Sequence, residues 1–60
     1  MKFIKLSGED GTIVTVNPER IEVFYRNSSN MTNIVTSSGT VIYVKEFPEE
    51  IGAKIKYMGI

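Results

Sequence analysis

The chain has 60 residues, with seven Lys or Arg against seven Asp or Glu, and neither cysteine nor histidine. That length holds one domain at most, and a chain so short buries only about 60% of the surface its unfolded form exposes. Disulfides and the common zinc and haem sites are excluded, which leaves association with a second chain as the means of gaining stability. A zero formal charge lacks the positive excess that nucleic-acid-binding proteins use against phosphate, and it offers little electrostatic defence against self-association.

Residues 2–7 read as a strand, with Ile4 and Leu6 on one face and Phe3 and Lys5 on the other. In Gly8-Glu9-Asp10-Gly11, the Asp-Gly pair tolerates the positive φ of a hairpin turn. Residues 12–16, rich in β-branched side chains, form the returning strand. Asn17-Pro18 stops it, because proline has no N–H for a ladder, and Pro18-Glu19-Arg20 makes one turn. Residues 21–26 form a third strand whose strict alternation sets Ile21, Val23 and Tyr25 against Glu22, Phe24 and Arg26.

Asn27-Ser28-Ser29-Asn30 is predicted to be an exposed loop and the most mobile part of the sheet. Residues 32–36 make a fourth strand, with Asn33 toward solvent, and Ser37-Ser38-Gly39 a turn with Gly39 left-handed. Residues 40–45 make the fifth, setting Ile42 and Val44 opposite Val41 and Tyr43. The period then becomes helical over residues 48–58, with Ile51, Ile55 and Met58 on one stripe, Pro48 at the first position and Gly59 placed to end it. Glu49 and Glu50 near the start and Lys54 and Lys56 near the end suit the helix dipole. Gly52 costs this helix about 1 kcal/mol, so it needs packing against the sheet. The expected fold is mainly β (α+β): a single domain over residues 1–60, built as a five-stranded antiparallel sheet or small open barrel with one short C-terminal helix.

Chemistry has few candidates. Triads and thiol catalysis require residues the chain lacks, and the pairs Glu9-Asp10 and Glu49-Glu50 read as solvated turn and helix-start residues. Gly8–Gly11 has neither the glycine spacing of a phosphate loop nor a following helix. No enzymatic activity, cofactor or metal is expected. Two triplets, Asn27-Ser28-Ser29 and Asn30-Met31-Thr32, match the glycan acceptor pattern. The first residues, however, are interrupted by Lys5 and form no signal sequence. No run approaches the roughly 20 apolar residues of a membrane span, and a cytoplasmic location is expected.

A single helix covers one face of a sheet. The other is expected to expose Phe24 beside Arg26 and Ile42, with Tyr25 adjacent, and these are the candidate partner-binding residues. The alternative is a curved sheet that closes into a small barrel and buries both faces. The expected partner is a second copy of the chain or another protein. A nucleic-acid-binding regulator would need Lys2, Lys5, Arg20, Arg26 and Lys45 to converge on one face. A small-ligand-binding, sequestering protein of a phage or mobile element would build its pocket from Asn, Ser, Thr and Tyr side chains between subunits.

Three segments carry a resemblance: Val16-Asn17-Pro18-Glu19-Arg20-Ile21-Glu22, then Ser38 to Glu46, then Pro48-Glu49-Glu50-Ile51. Together they resemble the short flagellar and swarming-motility proteins of the FlbD/SwrD type. These are similarly small, with a Val-Asn-Pro-x-x-Ile-Glu element and a Val-x-Glu run followed by Glu-Glu-Val. The resemblance implies an accessory or regulatory role without catalytic residues. In one departure, Phe47 stands where the family has a capping serine, so the capping box with Glu50 is expected to be lost.

Overall fold

Apolar alternation on either side of a turn makes the first hairpin. In the computed structural model, which describes residues 3–57, β1 (Ile4–Ser7) pairs antiparallel with β2 (Ile13–Val16), Ile4 opposite Val16 and Leu6 opposite Val14. Gly11 takes φ 90° in the connecting turn, a conformation that costs glycine little. Asp10 steadies this turn by accepting the Thr12 N–H at 3.0 Å. Hydrogen bonds from the Thr12 side chain and backbone hold the Asp10 carboxyl below the usual carboxylate range. Its stabilising contribution is therefore present above the ordinary aspartate pKa and lost as pH falls through the depressed value. An NMR titration should find the Asp10 midpoint below that of aspartate in a short peptide, and Thr12→Val should raise it; an unshifted midpoint would contradict the turn geometry.

Asn17 then caps a 3-10 turn (Pro18–Arg20) by accepting the Glu19 N–H at 3.0 Å. The chain continues into β3 (Ile21–Arg26), β4 (Thr32–Thr36) and β5 (Val41–Val44), a second antiparallel sheet in the order β3-β4-β5. The β3–β4 loop is organised by one side chain. Asn27 Oδ1 accepts the N–H groups of Ser29 and Met31 at 2.8 and 3.1 Å, and Asn30 takes φ 64°, a region asparagine tolerates. Gly39, at φ 90°, turns β4 into β5.

The fold therefore has two sheets, of two and three strands, in place of the expected single five-stranded sheet or barrel. The strands fall as predicted, with ends differing by one or two residues. The ladder between β1 and β5 is what fails to form. These strands meet only at their ends, through an isolated Gly8–Val44 bridge and a Lys45 N–H to Ser7 carbonyl bond of 2.8 Å. β1 runs into its turn at Gly8 while β5 stops at Val44, leaving no length to pair. Glu46 completes the junction, both carboxylate oxygens accepting the Ser7 N–H at 2.8 and 3.0 Å.

The helix α1 (Pro48–Lys56) has proline in its first turn, as expected. A phenyl ring accepts no hydrogen bond of this kind, so the forward half of the capping box is absent. The reverse half survives: Glu50 Oε1 accepts the Phe47 N–H at 3.2 Å. Met58 and Gly59, assigned above to the helix stripe and its end, lie outside the described residues, as does Lys2 of the first strand. Ile51 is fully buried with Ile4, Leu6, Val16, Ile34 and Val44, and Ile55 packs against that cluster. Thr32 is the buried polar residue among them, its hydroxyl donating to the Glu46 carbonyl at 2.6 Å.

Candidate protein-interaction face

Which side of β3 faces the core is decided by a bulge. Ile21 pairs with Thr36 but Val23 with Val35, so the register shifts by one residue between them. An extra residue on one strand breaks the period-2 rule locally. Ile21 and Phe24, three apart, thereby both pack against the core cluster. From Phe24 onward the rows run straight across the sheet: Phe24, Ile34 and Ile42 inward, and Tyr25, Asn33 and Tyr43 outward.

This corrects the face expected to be open. Phe24 and Ile42 are half-buried and belong to the covered side, packed against the core cluster. Arg26 lies at the end of that side with its guanidinium 4.0 Å over the Phe47 ring and 3.9 Å from Glu49, joining β3 to the helix start. Tyr25, of the four candidates, is on the open face, 48% exposed. Val23, Val41 and Tyr43 join it at 47%, 42% and 48%, with half-buried Asn33 and Val35 between them.

These side chains form two rows, Val23-Val35-Val41 and Tyr25-Asn33-Tyr43, and none carries a charge. Hydrogen bonds tie Tyr25 and Asn33 of the second row to the β3–β4 loop. Asn27 Nδ2 donates to Asn33 Oδ1 at 2.6 Å, and Asn33 Nδ2 donates to Tyr25 Oη at 3.3 Å. The loop that reads as mobile thus reaches into the site and orients it. Reasoning from the sequence missed Val23, Val41, Tyr43 and the Asn27–Asn33 link. The signal was present in Asn33: a polar residue facing solvent in the central strand places its cross-strand neighbours, Tyr25 and Tyr43, there too.

The basic residues do not gather. Arg20 ends the 3-10 turn and Arg26 ends β3, with five residues of strand between them, about 20 Å of chain, while Lys2 lies outside the described residues. No group of three acidic side chains that could hold a metal ion is found among the described residues, nor any helix long and apolar enough to cross a membrane.

The fold and site define a small β-rich domain whose three-stranded sheet carries a core and helix on one side and an uncharged aromatic–aliphatic face on the other. Comparison with family models, curated proteins and solved structures finds no match to the chain. Four residues of the segments singled out in the sequence have a folding role here: Asn17 caps the 3-10 turn, Glu46 closes the sheet junction, Glu50 caps the helix and Ile51 fills the core.

Proposed function

We propose that this chain is a non-enzymatic interaction or regulatory module that self-associates face to face through the outer side of β3, β4 and β5. The observation that carries the reading is the charge-free pair of rows, Val23-Val35-Val41 and Tyr25-Asn33-Tyr43. Two copies brought together on this face desolvate no ion and oppose no like charges, costs that charged surfaces incur. Tyr25, held by the Asn33 amide, and Tyr43 supply aromatic contact area with few rotatable bonds to freeze. An accessory role in motility or on a mobile element is consistent with the resemblance described above.

The face is a patch of a few hundred Å², the size that marks interaction sites, which places such a dimer below the roughly 1,200–2,000 Å² of stable complexes. Weak association, in the micromolar range or above, is therefore expected. Sedimentation velocity across a concentration series should show a monomer–dimer equilibrium that Tyr43→Lys abolishes without lowering the melting temperature. A wild-type chain that stays monomeric to millimolar concentration would refute the proposal. The paired tyrosines also suit stacking against nucleic-acid bases; salt-dependent binding of single-stranded RNA or DNA, lost in the same variant, would favour that second reading.

A further inference from the structure

A second feature lies on the other side of the sheet, at the end where the hairpins part. A cleft of about 390 Å³ opens between the end of β2, the 3-10 turn and the β4–β5 turn, with Val16 and Ile42 among its apolar lining. Its polar lining contains one cation, Arg20, several hydroxyls and no carboxylate. The formal charge of the whole chain is zero, so this is a local positive site in a neutral protein. The volume falls within the range of small-molecule pockets.

The backbone that carries the cation is anchored at two points. Arg20 N–H donates to the Asn17 carbonyl at 3.0 Å, and the Arg20 carbonyl accepts the Ser37 N–H at 2.8 Å. The residue is thereby tied both to the turn it ends and to the β4–β5 turn across the cleft. Its guanidinium has no carboxylate within ion-pair distance among the described residues; Arg26, by contrast, is occupied by Glu49 and Phe47. The same cleft is lined by a relay of hydroxyls, Thr36 Oγ1 to Ser38 Oγ at 2.9 Å and Ser38 Oγ to Thr40 Oγ1 at 3.3 Å. Hydroxyl protons rotate to suit their partners. Thr36 Oγ1 also donates to the Thr40 carbonyl at 3.3 Å, which runs the relay from Thr40 through Ser38 to Thr36. Its long Thr40–Ser38 contact is the one an entering anion can replace, turning the Thr40 proton toward the cleft.

We infer that this cleft binds the phosphate group of a small phosphomonoester, with Arg20 as the charged fork and the Thr40 hydroxyl as a further donor. A phosphate presents three terminal oxygens, which call for more donors than a guanidinium fork, and the Thr40 hydroxyl on the same cleft supplies one. A carboxylate would need the guanidinium only. Val16 and Ile42 leave an apolar surface for the organic part of the ligand. The cleft is lined from the 3-10 turn and the inner side of the sheet, so phosphate binding does not depend on the self-association proposed above.

Titration of the 15N-labelled full chain with inorganic phosphate, with adenosine monophosphate and with acetate tests the inference. Expected are saturable shifts confined to residues 15–20 and 36–42, tighter for the monophosphate ester than for phosphate, with acetate much the weakest. Arg20→Ala should weaken the ester at least about tenfold, Arg20→Lys less, and Thr40→Ala by an intermediate factor. Lys45→Ala, at the far end of β5, should change nothing. Because Arg20 is exposed, its variants should keep the wild-type spectrum. Shifts that do not saturate by tens of millimolar, that match those of acetate, or that persist in Arg20→Ala would overturn it.

Discussion

Ile51→Ala should be among the most damaging single substitutions in this domain, costing about 2–5 kcal/mol. Ile51 is fully buried and carries α1 onto the cluster of Ile4, Leu6, Val16, Ile34 and Val44. A chain of 60 residues has a total stability of only about 3–9 kcal/mol at typical values per residue. One large cavity therefore removes much of the margin, and the melting temperature should fall by roughly 10–30 °C. Alanine is the better helix former, so local propensity opposes the expected sign and makes the test clean. Ile55→Ala, at a half-buried site on the same helix, should cost less. Urea and thermal unfolding followed by circular dichroism would measure both. A neutral or stabilising Ile51→Ala would mean that α1 does not pack where the structure places it.

The second large effect is expected at Glu46, where one residue serves both sheets. Its carboxylate accepts the Ser7 N–H at the end of β1, while its carbonyl accepts the Thr32 hydroxyl from β4 at 2.6 Å. A hydrogen bond to a charged group contributes about 1.5–3 kcal/mol, and Glu46→Ala should lose that amount while Glu46→Gln, which keeps one oxygen, loses less. Thr32→Val leaves the carbonyl without its buried donor and should cost about 1–3 kcal/mol. Since both act on one junction, the double variant should deviate from additivity by about 0.5 kcal/mol or more. Hydrogen exchange adds a local readout: the Ser7 amide should exchange faster in Glu46→Ala, ahead of amides in the β3–β4 ladder. Unchanged Ser7 protection would show that the two sheets are joined by something other than this carboxylate.

Much of the fold was legible because its signals are local. Asp10-Gly11 and Gly39 announce turns through their tolerance of positive φ, and both glycines take it. Pro48 after a β-branched run marks the helix start, and Ile51 marks its buried stripe. Strand positions followed from the same reasoning. The open face did not, because strict alternation carried Ile21, Val23 and Tyr25 together, and the bulge between Ile21 and Val23 separates them. No residue in that stretch advertises a bulge. The register of the β4–β5 hairpin, read outward from Asn33, would have placed Tyr43 and Tyr25 in solvent without it.

The candidate site divides in the same way. The sequence alone determined that the chain is small, uncharged overall, without thiols or imidazoles, and built of short strands and one helix that must share a modest core. Those are properties of composition and local spacing. Only the tertiary structure decided that the strands form two sheets joined at Gly8, Val44 and Glu46, and that Phe24 and Ile42 pack onto the core while Tyr25 and Tyr43 stay open. It also set Arg20 against the hydroxyls of a turn that follows it by some 16 residues. The reason is physical: a hydrophobic pattern states that a residue prefers burial, but which face is buried depends on register, and register is fixed by pairing between strands distant in sequence.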